Sequence, residues 1–172
     1  MRVVARGVFY CPAMRHATVA RLTSSIYGTV LTIALIAAYS AEESLDPALI
    51  AAALLVTLGV FWLAHSQAEL LAMRYAVGHA LSRSEMRAEL RHARPMVEAG
   101  LLPSGALLLG TIGLVSDDTS VTLALGIGVA QLAGWGIAIG AREKLGTLRT
   151  FLVTAINISL GLAVVVLKLL IH

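Results

Sequence analysis

Residues 47–65 read PALIAAALLVTLGVFWLAH, without a single charge. As an α-helix this stretch rises about 1.5 Å per residue and reaches roughly 27 Å. A hydrocarbon core is about 30 Å thick and needs about 20 mostly apolar residues to cross. Its continuous Ala- and Leu-rich character lacks the period-two alternation of a membrane strand. Pro47 sits where a first-turn proline is tolerated, and Asp46 before it is the expected N-cap. The stretch therefore reads as a membrane-spanning helix. Four more runs of the same kind fall at Leu22–Tyr39, Val97–Val115, Val121–Ala141 and Thr150–Ile171. The expected fold is an all-α membrane protein with five transmembrane helices in one domain, residues 1–172.

Composition agrees. The 172 residues are 58% hydrophobic and 13% charged, with a mean hydropathy of +0.85. Soluble domains carry about 25% charged residues, so this chain lacks the polar side chains to cover itself in water. The sequence pI of about 9.4 does not indicate nucleic acid, because the basic residues are scattered between apolar runs and no zinc-finger spacing or Arg-rich block is present. Cys11 is the single cysteine, which rules out an intramolecular disulfide. No phosphate loop, Gly-x-Ser-x-Gly elbow or H-E-x-x-H helix occurs, and the chain is not expected to be an enzyme.

The charges order the spans. Arg2, Arg6, Arg15 and Arg21 precede the first span, while Glu42, Glu43 and Asp46 follow it. Arg74, Arg83, Arg87, Arg91 and Arg94 lie between the second and third, Asp117 and Asp118 between the third and fourth, and Arg142, Lys144 and Arg149 between the fourth and fifth. Lys and Arg in short loops stay cytoplasmic. A five-span chain with its N-terminus inside and its C-terminus outside puts 12 of the 13 basic residues on one side, and Lys168 snorkels from the far end of the last span. The expected location is the plasma (inner) membrane, with the lipid bilayer as partner. The first span also resembles a signal peptide, with small residues from Ala37 to Ala41, but its apolar stretch exceeds the usual 7–15 residues, which favours a retained helix.

The helical pattern continues past His65. No proline and one glycine, Gly78, occur from Ser66 to Arg94. The second span is expected to run on as a cytoplasmic helix over about 66–94, bent near Gly78 and ended by Pro95. Two stripes mark this extension. Arg83, Arg87, Arg91 and Arg94 make one, suited to anionic headgroups. Glu85, Glu89 and His92 make the other, suited to a cation. Neither glutamate has an arginine three or four residues away. A solvated helix carrying both stripes for solubility alone is the competing reading.

His65, Glu69 and Met73 recur every four residues where the second span leaves the membrane, so they share one face. Imidazole and carboxylate suit a borderline divalent metal, and the same pair can pass a proton. The plainer alternative is an ordinary interfacial end of a helix. Glu98, near the start of the third span, is expected to approach Glu69. Among the polar residues within the spans, Tyr27, Thr29, Gln131 and Asn157 are the candidates to line a pathway or to hydrogen-bond between helices. Gly136 and Gly140 form a G-x-x-x-G pair, and Gly126, Gly128 and Gly134 add small surface for tight packing or an oligomer interface.

Three stretches together give the chain a resemblance to a known family: Ile26-Tyr27-Gly28 with the apolar run after it, His65-x-x-x-Glu69, and Gly134–Gly140 followed by the basic turn Arg142–Arg149. With the five-span pattern, they resemble the vacuolar iron transporter family. The resemblance implies five spans, an extended second helix, a homodimer, and exchange of a divalent metal for protons, the metal being the substrate rather than a resident cofactor. On that reading His65, Glu69, Met73 and Glu98 are the metal-site candidates. The family carries Asp-Gly after the Tyr-Gly segment, where this chain has Thr29 and Val30, and its cytoplasmic domain is larger and richer in glutamate. The first span here contains no acid. Alternative functions are a passive proton or small-ion channel and a membrane scaffold or accessory subunit.

Overall fold

The computed structural model describes residues 12–41, 46–144 and 146–171. Arg2, Arg6, Cys11, Glu42 and Glu43 lie outside the described residues, as do the side chains of Arg15 and Lys168. The described elements are six α-helices: α1 (Pro12–Tyr39), α2 (Pro47–Val77), α3 (Arg83–Ala93), α4 (Pro95–Thr111), α5 (Asp117–Arg142) and α6 (Thr147–Ile171). No strand occurs among them.

Helix α2 starts as its sequence requires. Asp46 accepts a hydrogen bond from the Ala48 N–H at 2.7 Å, and Pro47 occupies the first turn. It then runs 31 residues without a break, carrying the apolar stretch and its polar continuation in one rod. Gly78 stops it rather than bending it. Its φ of 70° lies in the left-handed region, and its N–H reaches back to the Arg74 carbonyl. The expected single helix over 66–94 is thus two helices. Ser82 and Glu85 form a capping box that starts α3. The pattern Ser-x-x-Glu is visible in the sequence and is the local signal for this second start.

Helix α3 folds back along α2. The indole Nε1 of Trp62 donates to the Leu90 carbonyl at 3.1 Å, and Met73 and Glu85 line one cleft, so the two helices run antiparallel. Helix α3 also packs on α1. Pro95 begins α4 directly after it.

Helix α1 touches each of the other five helices, with its broadest contacts on α4, α5 and α6. Its inward face carries Thr29, Thr32, Ile33 and Ile36, all buried. The hydroxyls are satisfied within the helix, Thr29 Oγ1 donating to the Ser25 carbonyl at 2.8 Å and Thr32 Oγ1 to the Gly28 carbonyl at 2.7 Å. Ile36, Ile50, Leu54, Leu58, Leu107 and Ala124 form the shared core. Small residues set the crossings. A Cβ on Gly28 would fall 2.6 Å from Met96 Cα, and one on Gly136 would fall 2.6 Å from Thr154 Cα. Gly140 likewise lies against Thr150 and Gly128 against Ile33. These glycines thus serve packing within one chain, whereas a Cβ at Gly126 or Gly134 would meet open space.

Among the described residues, three helices are long and apolar enough to cross a membrane: Thr18–Tyr39 of α1, α2, and α5. The third expected span is shorter than the sequence suggests. Helix α4 has 17 residues and ends at Thr111, where Ile112 and Gly113, at φ 74°, turn the chain. Ser116 then caps α5 by accepting from the Thr119 N–H at 3.3 Å, so Asp117 and Asp118 enter the first helical turn. In α6 the apolar stretch among described residues is Thr147–Ala163.

Candidate functional site

The polar residues singled out in the sequence separate into two cavities, one on either side of α1. The first is a cleft of about 670 Å³ between α1, α2 and α3. Helix α2 contributes His65, Glu69 and Met73, in line because the four-residue spacing keeps them on one face. Helix α3 contributes Glu85, Glu89 and His92. Helix α1 closes the cleft with Val19, Ala20 and Thr23, which bring no charge. The His65–Glu69–Met73 face and the Glu85–Glu89–His92 stripe thus line one space from two helices. The reversal at Gly78–Ser82 brings this about, because an uninterrupted helix would have set them far apart along its axis.

Glu89 is the most enclosed of these groups, at 7% exposure. Burial raises its pKa above the ordinary carboxylate range, and the negative charge of Glu69 adds to the rise. His92 and His65 act in the opposite direction. The protonated form of Glu89 is thus favoured relative to a free carboxyl. Glu85 behaves differently. Its Oε2 accepts from both the Ser82 N–H and the Ser82 hydroxyl at 2.7 Å, and these bonds hold its pKa low. It caps α3 and points one of its oxygens away from ligand duty. Among the described residues, no three His, Cys, Asp or Glu side chains are clustered as a ready metal site.

The second cavity is a groove lined by α1, α4 and α5. An outer part of about 440 Å³ is lined by Arg21, Ser25, Glu98, Trp135 and Arg142, with apolar walls from Leu22 and Ile139. An inner part of about 360 Å³ shares Ser25, Glu98 and Trp135 and reaches Thr29 and Gln131. The Gln131 Oε1 is buried and has no hydrogen-bond partner. Glu98 therefore belongs to this groove, not to the cleft of Glu69. Helix α4 leaves α3 and packs against a different side of α1, which carries Glu98 away.

The remaining pathway candidates join neither cavity. Tyr27 is 49% exposed on the outside of α1. Asn157 donates from Nδ2 to the Val153 carbonyl of its own helix at 3.0 Å. Sequence reasoning missed Arg21, Ser25, Trp135 and Arg142 as a group. Arg21 and Arg142 count only as topology signals when read along the chain, and nothing local links α1 to the end of α5.

No protein-family model, curated protein or solved structure matches this chain.

Proposed function

We propose that the chain is an integral membrane transporter that takes a divalent cation into the α1–α2–α3 cleft and exchanges it for protons. The observation that carries this reading is the meeting of Glu69, Glu89, His65, His92 and Met73 in one cleft with Glu89 buried beside a second carboxylate. Two carboxylates and two imidazoles provide hard and borderline donors for such an ion. Burial makes the charged form of Glu89 costly, so a bound cation and a bound proton are competing ways to neutralise it. Among the described residues these side chains are not preassembled around an ion, so binding one would draw them together.

The membrane setting is supported by the apolar helices and by what they expose. Val56, Val60, Leu63, Leu101, Leu102, Ile137, Leu152 and Ile156 are all outward-facing, a surface suited to lipid and costly in water. In this reading α1, α2, α4, α5 and α6 cross the membrane. Helix α4 is at the lower length limit for a span and is accommodated by local thinning. The charge bias puts the N-terminus and α3 in the cytoplasm, so the cleft opens at the inner boundary. A homodimer is the assembly implied by the family resemblance.

Flux in proteoliposomes tests the proposal. A proton gradient is expected to drive uptake of Fe²⁺ or Mn²⁺, and Glu69→Ala or Glu89→Ala to lower that uptake by about a hundredfold, as for loss of a directly coordinating or orienting group. Proton flux without any metal dependence would favour the channel reading. Metal flux unchanged in both variants would overturn the cleft as the site.

A further inference from the structure

We propose that the outer groove between α1, α4 and α5 is a binding site for an inner-leaflet phospholipid with an ethanolamine headgroup. This rests on the membrane reading above but not on the transport reading. Three charged side chains meet in the outer groove: Arg21, Arg142 and Glu98. In sequence they stand at the ends of three apolar runs, at the same boundary. Arg21 precedes the first apolar run, Arg142 follows the fourth, and Glu98 opens the third. The groove therefore lies at headgroup depth.

Its chemistry is that of a zwitterion. Two guanidinium groups suit a phosphodiester, because arginine pairs with phosphate oxygens through charge-assisted hydrogen bonds. A simple anion would leave Glu98 facing it with like charge. An ethanolamine headgroup carries an ammonium that donates to Glu98, and Trp135 in the same lining offers a π-face to a cation. A choline headgroup has the same net charge but no N–H to donate. Leu22, Ala138 and Ile139 give the lipid's apolar part a wall. Charge complementarity thus selects this occupant over a phosphatidylglycerol, whose headgroup brings no cation to Glu98.

The full chain, reconstituted in nanodiscs of equal parts phosphatidylethanolamine, phosphatidylcholine and phosphatidylglycerol and then released for native mass spectrometry, reads out the lipid retained. Ethanolamine lipid is expected to be retained about tenfold over choline lipid, the scale of one hydrogen bond to a charged group. Glu98→Gln is expected to erase that preference while phosphate-dependent retention persists. Arg21→Ala combined with Arg142→Ala is expected to lower retention of every phospholipid. Equal retention of ethanolamine and choline lipids overturns the proposal, as does a preference that survives Glu98→Gln. Stronger retention of the glycerol lipid shows a general anion site and overturns it too. Binding of millimolar phosphoethanolamine by a chain that retains no phospholipid would assign the groove to a free zwitterion instead of a lipid. Release of the native chain from membranes by carbonate wash sinks the membrane reading itself, a result separate from any of these.

Discussion

The cleft between α1, α2 and α3 and the groove between α1, α4 and α5 are built from similar side chains to opposite ends. The cleft gathers Glu69 and Glu89 with two histidines and, among the described residues, no arginine, and the Glu89 carboxyl is buried. The groove gathers Arg21 and Arg142 around an exposed Glu98. The first favours a positive charge and resists leaving Glu89 ionised alone. The second already contains its own counter-charges and suits a ligand carrying both signs. One helix separates them, since α1 gives Val19 and Thr23 to the cleft and Arg21 and Ser25 to the groove. The lesson is that proximity to a membrane boundary does not fix a residue's task; the helix face does.

The comparison breaks most completely if α1 loses its seat, because both cavities depend on it. Gly28→Leu would drive its side chain into the Met96 backbone, and overpacking of this kind costs about 1–3 kcal/mol or more. The expected outcome is loss of a monodisperse peak in detergent size-exclusion, with both metal and lipid binding gone. A variant that stays folded and keeps one cavity active would show that the cavities are not tied through α1.

A finer test uses the pH dependence of stability. The pKa of Glu89 is raised in the folded state. The folded chain thus holds that proton to higher pH than the unfolded chain, and stability falls as pH rises through the raised value. Below the ordinary carboxylate range both states are protonated and the effect vanishes. Glu89→Gln should accordingly raise the melting temperature of the metal-free protein near neutral pH, with the gain shrinking as the pH drops toward 4. A gain independent of pH would mean that ionisation of Glu89 is not the source.

The smallest expected effect separates α3 from the rest. Trp62→Phe removes the bond from the indole N–H to the Leu90 carbonyl, a loss of about 1 kcal/mol. Faster amide exchange in residues 83–93, with α4–α6 unaffected, is the expected signature. Uniform exchange across the molecule would show that α3 does not move as its own unit.

Much of this was legible along the chain. Hydropathy locates the apolar helices, and Asp46-Pro47 marks the start of α2, because those signals act within one turn or one span. The four-residue spacing put His65, Glu69 and Met73 on one face for the same local reason. A lone glycine in a helical pattern predicts a bend at Gly78, where the structure has a stop. The left-handed glycine and the Ser82–Glu85 capping box are local signals for a full stop and a restart, and their joint reading gives two helices. The length of α4 was overread because Ile112, Leu114 and Val115 are apolar, yet Gly113 turns the backbone there.

What the sequence determined by itself is the set of rods and their polar faces, since both follow from 1.5 Å of rise and 3.6 residues per turn. Which face meets which was decided only by tertiary packing. Glu89 opposes Glu69 because α3 folds back on α2, and Glu98 is parted from Glu69 because α4 packs on another side of α1. The first pairing is held by the bond from Trp62 to the Leu90 carbonyl and the second by the close approach of Gly28 to Met96, contacts between residues far apart in the chain that no local periodicity encodes.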